Sequence, residues 1–185
     1  RVRSSAASDV YKRQVQAQSY PAVYQDRHGE ESTSILNDGH VLEMTVRGVR
    51  FRGTDLDGLE PAGEYAASGL APFTLHHGEL CACTISYRAR LPVVVGDAEV
   101  QGELMVRLRL GEPLPIPPGA IDAEEFRLEL TANGQTFASR GTSGWIEDEL
   151  LDIQAALPPG VFIKACITCA FSDYSPYGHG AFGCL

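Results

Sequence analysis

The chain has 185 residues, 44% of them apolar, and its 24 acidic against 15 basic side chains leave a net charge of −9. That length and apolar content suffice for one domain with an ordinary core. The acidic balance repels nucleic acid and anionic membrane surfaces, and no apolar run approaches the roughly 20 residues of a membrane span. Five cysteines are an odd number, which argues against a complete disulfide framework and for a reducing, cytoplasmic setting.

Residues 9–14, DVYKRQ, are what one frame of a transposase mosaic-end sequencing adaptor encodes. Residues 1–14 are therefore set aside as non-native. Residues 15–185 are read as a single β-rich domain, with its native N-terminus missing and its C-terminal end truncated. Residues 1–14 hold four basic and one acidic side chain, so the rest of the chain carries about −12.

In chain order, 20–27 and 31–36 read as two strands around the turn His28-Gly29-Glu30. Residues 40–52 form a further strand, with Leu42, Met44 and Val46 on one face. Past Gly48 the apolar positions become Val49 and Phe51, and this one-residue shift predicts a β-bulge at Gly48. Residues 53–72 lack a period and are rich in Gly, Pro and Ala, so a long loop is expected. Its Asp55, Asp57 and Glu60 fall short of a calcium-loop pattern and read as solvated turn carboxylates.

Residues 73–95 alternate, with a hairpin turn expected at Gly78-Glu79 and with Cys81 and Cys83 projecting together. Two core cysteines behaving as small hydrophobes are one reading; a metal cluster with His76 or His77 is the alternative. In 100–110, Leu104, Val106, Leu108 and Leu110 face inward and Glu103, Met105, Arg107 and Arg109 outward. The proline-rich 111–120 makes a rigid connector. Asn133-Gly134 supplies two residues suited to positive φ, which predicts a type I′ hairpin with Leu130 opposite Phe137.

Residues 145–157 make an amphipathic helix with the stripe Ile146, Leu150, Ile153 and Leu157. Thr142 or Ser143 is the expected cap, and Pro158-Pro159-Gly160 the stop. Glu147, Asp148, Glu149 and Asp152 read as a solvated acidic face.

The last stretch, 160–185, carries the candidate site. Ile163, Ala165, Ile167, Cys169 and Phe171 form the apolar face of a strand, and SDYSPYGHG then turns the chain into a loop. Tyr174, Tyr177 and Phe182 are the aromatic side chains an interface loop needs, with Asp173 and His179 among them. Cys166 and Cys169 have the spacing of a zinc-ligand pair, and Cys184 is a third candidate ligand, though residues three apart on a regular strand point to opposite faces. Free structural thiols and a disulfide or redox pair are the other readings. Ser172, Asp173 and His179 include the residue types of a hydrolytic triad, but all lie in one loop and no nucleophile-elbow glycine pattern surrounds Ser172.

FRGTD at 51–55, GTSGWIEDEL at 141–150 and CITCAFSDYSPYGHG at 166–180 together resemble an uncharacterised domain-of-unknown-function family of bacterial proteins, mostly from actinomycetes. The resemblance implies further chain beyond Leu185 and supplies no activity. The expectation is an α+β fold, mainly antiparallel β and sandwich-like, with one amphipathic helix in the C-terminal half. Its expected role is that of a non-enzymatic protein-interaction module presenting loop 172–183 to another protein. The alternative is structural zinc on Cys166, Cys169 and Cys184; a hydrolase is the third reading. Neither nucleic acid nor membrane is an expected partner.

Overall fold

The computed structural model describes residues 17–115 and 119–165. The first two strands, β1 (Gln18–Asp26) and β2 (Gly29–Asn37), pair antiparallel from Gln18↔Asn37 to Asp26↔Gly29. Arg27 and His28 make the turn between them, so Gly29 and Glu30, expected in the turn, already belong to β2.

Strands β3 (Leu42–Val46) and β4 (Val49–Gly53) correct the expected bulge. Arg47 and Gly48 have φ of 48° and 76°, so they are the two central residues of a tight hairpin turn, with Val46 opposite Val49. A two-residue turn puts Val49 and Phe51 back on the face held by Val46 and Met44, which is the register shift the sequence displays. The stretch 53–72 is loop apart from β5 (Glu60–Pro61) and the single-turn α1 (Ala67–Leu70), and it is anchored by fully buried Leu56 and Leu59.

Next come β6 (Thr74–His76) and β7 (Glu79–Cys81), a separate two-stranded sheet. Their turn residues are His77 (φ 53°) and Gly78 (φ 96°), one position earlier than expected. Ala82 at φ 52° then breaks the chain before β8 (Cys83–Val95). Cys81 and Cys83 are therefore both buried, but on different strands of different sheets.

The long hairpin of β8 and β9 (Ala98–Leu110) pairs from Val95↔Ala98 to Cys83↔Leu110. The connector after it makes one isolated bridge, Pro113↔Ile121. Strands β10 (Glu124–Ala132) and β11 (Gln135–Ala138) follow, with Asn133 and Gly134 at φ 48° and 75° and Leu130 opposite Phe137, as expected.

The helix α2 (Ile146–Ala156) buries Ile146, Leu150 and Ile153, with Leu157 just past its end. Each such large apolar side chain is worth roughly 1.5–3 kcal/mol on burial. The last described strand, β12 (Val161–Ile163), pairs with the far end of β8.

The main sheet runs β11-β10-β9-β8-β1-β2-β3-β4-β5, with β12 also on β8. Its buried side chains and those of α2 belong to one apolar cluster. The fold is thus α+β and mainly antiparallel, with its amphipathic helix in the C-terminal half. No described helix is long and apolar enough to cross a membrane.

Candidate functional site

Residues 139–145, between β11 and α2, are held by side chains at both ends. The Ser139 hydroxyl accepts from Leu128 N–H (3.0 Å), and Ser139 N–H donates to Leu128 O (2.9 Å), so this segment continues along β10 where β11 stops. The Arg140 guanidinium donates Nε–H to Asp152 Oδ2 at 2.7 Å, tying the loop to the second turn of α2.

Glu149 is the centre of the arrangement. It is 1% exposed, and its carboxylate accepts three successive backbone N–H groups: Gly141 (2.7 Å), Thr142 (2.9 Å) and Ser143 (2.7 Å). This corrects the reading of Glu149 as part of a solvated acidic face, whereas Asp148 is exposed as expected. Asp152 pairs with Arg140, and Asp148 accepts from the Ser143 hydroxyl at 3.1 Å. A carboxylate inserted into a run of unsatisfied amides removes several buried-donor penalties at once.

The expected Thr142 or Ser143 helix cap is also corrected. The residue at the cap position is Trp145, which makes no side-chain capping bond. The Ser143 hydroxyl instead accepts from Trp145 N–H at 3.0 Å, which fixes the backbone that carries the indole. Trp145 is the sole tryptophan of the chain and is 65% exposed. Gly144 lies against the Glu124 carbonyl, where an added Cβ would sit 3.4 Å from the oxygen. Burial raises the Glu124 carboxyl, with Asp57 as the next cause, and burial with Asp55 raises Asp57.

Chemically, this loop can present an aromatic anchor on a braced backbone. Among the described residues, no group of three or more His, Cys, Asp or Glu side chains could hold a metal ion. Burial pushes the Cys83 thiol up to about 12, and Cys81 and Asp26 add to it, so Cys83 remains protonated and inert.

The sequence-derived binding residues Asp173, Tyr174, Tyr177, His179 and Phe182 lie outside the described residues, as do Cys166, Cys169 and Cys184. Sequence reasoning passed over Trp145 and Glu149. The signal for them was present: a Gly-rich turn before a tryptophan, and a carboxylate four residues later that helical spacing returns toward the turn.

In comparison with known proteins, a family model described as Family of unknown function (DUF6304) matches residues 18–172. No curated protein and no solved structure matches the chain.

Proposed function

The chain belongs to DUF6304, a family of unknown function, and from that premise we propose that it is a non-enzymatic protein-interaction module of the bacterial cytoplasm. Loop 172–183 is its contact segment, through Asp173, Tyr174, Tyr177, His179 and Phe182, and Trp145 is a further anchor.

The observation that carries this reading is the pairing of Trp145 with Glu149. A buried carboxylate is committed to three amides of a loop whose most prominent side chain is an exposed indole. Apolar burial alone would turn that indole inward. Tryptophan on a rigid, preorganised backbone is the commonest kind of binding hot spot, since little conformational freedom is lost on contact. An exposed indole on a chain of net charge −9 favours a partner that brings a basic side chain to the ring face.

Affinity capture from the native host, using the chain and its Trp145→Ala, Tyr174→Ala and Tyr177→Ala variants, tests the reading. Loss of Trp145 is expected to weaken capture about 30-fold or more. The single tryptophan also reports directly, because a bound partner shields it from acrylamide quenching. If capture is indifferent to all three substitutions, or no partner is retained, the reading falls. Structural zinc on Cys166, Cys169 and Cys184 is the competing proposal, resting on the spacing of those cysteines. Elemental analysis of the purified protein decides it.

A further inference from the structure

On the outward face of β8–β10, opposite the core, side chains fall into register across three strands. Arg107 on β9 lies directly opposite Arg127 on β10, and opposite Ser86 on its other side. Arg88 and Arg90 project from β8 on the same face, and Arg109 from β9. Five arginines therefore share this face with Glu99, Glu103, Glu125 and Glu129, in a chain whose net charge is −9.

Two of the five are paired locally, Arg88 with Glu103 at 3.7 Å and Arg109 with Glu125 at 3.3 Å. Arg90, Arg107 and Arg127 have no carboxylate within 4.0 Å among the described residues. Like charges directly opposite each other in a ladder are destabilising. Glutamates lie two positions either side of Arg127, so the same residues in another order would have formed a pair. A local rule broken without a stabilising return marks a place reserved for something outside the chain. The Arg127 side chain lies against Gly141, where an added Cβ would come 2.9 Å from its Nε.

From this we infer that the outward face of β8–β10 binds an acidic segment of another protein, in extended form, through Arg107 and Arg127. Arg107 and Arg127 stand opposite each other on neighbouring strands, about 4.5–5.5 Å apart at their Cα atoms, and their long side chains can splay to the roughly 6.6–6.8 Å repeat of same-side carboxylates on an extended peptide. Each guanidinium then takes a carboxylate with two parallel N–H···O bonds. A nucleic acid fits less well. The outward positions of β8–β10 carry no aromatic side chain for base stacking. This surface meets the Trp145 loop at Gly141 but stands without the preceding proposal.

The test is fluorescence anisotropy of a labelled peptide of alternating Glu and Ser against the whole chain at low ionic strength. Arg107→Gln and Arg127→Gln should each weaken binding about tenfold or more, whereas Arg52→Gln, the same charge change on β4, should not. Arg127→Glu should abolish binding while leaving the melting temperature unchanged or raised by about 1–3 °C, since it faces Arg107. The inference is overturned if the peptide does not bind, if binding survives the Arg107 and Arg127 substitutions, or if single-stranded DNA binds the same arginines more tightly than the peptide.

Discussion

Asp26 closes β1 with a side chain only 4% exposed, and three neighbours converge on it. Arg47 donates two N–H groups to it, at 2.6 and 2.8 Å, the Tyr24 hydroxyl donates at 3.0 Å, and His28 N–H at 2.7 Å. Burial by itself would raise this carboxyl. The hydrogen bonds from Arg47, His28 and Tyr24 outweigh it and hold the group at about 2. The same guanidinium lies 5.5 Å from the centre of the Tyr24 ring and 5.7 Å from that of Phe73, and Arg47 N–H donates to Glu31 at 3.0 Å. These contacts offset the cost of holding a non-glycine residue at φ 48°. Because the folded-state value lies below the ordinary 3.8, the stabilisation is fully present above about pH 4 and is lost as pH falls toward 2. Asp26→Asn should therefore cost roughly 2–3 kcal/mol at neutral pH. In urea titrations at a series of pH values, the gap from the parent chain should close by about pH 2. A gap of constant size from pH 7 to pH 2 would show that the carboxylate's charge is not what holds the turn.

At the scale of elements, turns and edges decide more than propensity does. Residues 47–48 show why a bulge and a tight turn are hard to separate in a sequence. Both shift the apolar register by one residue, and only pairing Val46 with Val49 distinguishes them. The free side of β12 is met by a side chain: Gln154 of α2 donates to Val161 O at 3.3 Å and accepts from Ile163 N–H at 2.8 Å. A single amide thus supplies the donor and acceptor that another strand's backbone would bring, which protects the edge. On β9, Gly102 faces the core, and a Cβ there would lie 2.9 Å from Leu130 Cδ1 and 3.1 Å from Leu91 O. Gly102→Val should destabilise by about 1–3 kcal/mol through overpacking, read as a lower urea midpoint at unchanged slope. No shift in midpoint would mean the interior beneath Leu130 is looser than its contacts indicate.

For the molecule as a whole, β8 is the organising strand. It pairs with β9 over its full length, with β1 from Ala22↔Tyr87 to Gln25↔Thr84, and with β12 from Val93 to Val95. Strands β11 and β5 end the path, the second only two residues long. Because local opening is resisted by ladder bonds and burial on both sides, amide hydrogen exchange should be slowest at 84–87. Protection should fall through β10 to β11 and through β3 to β5. Equal rates at 84–87 and in β11 would contradict one interior built around β8.

How much of this was legible in the sequence depends on whether the cause is local. Alternation at period two marked β8 and β9 and sorted the faces of β9, because a pleated strand exposes every second side chain whatever lies beside it. Asn133-Gly134 set the register of Leu130 and Phe137, and the Ile146, Leu150, Ile153 stripe marked the helix and its buried side, since turn chemistry and helical spacing act within a few residues. Tertiary structure alone decided which strands are neighbours. It set β1 and β12 on the same edge of β8, folded 141–143 onto Glu149, gathered Tyr24 and Arg47 at Asp26, and placed Arg107 against Arg127. Each of these joins residues whose spacing along the chain carries no period, and each is stabilised only once the intervening chain has closed.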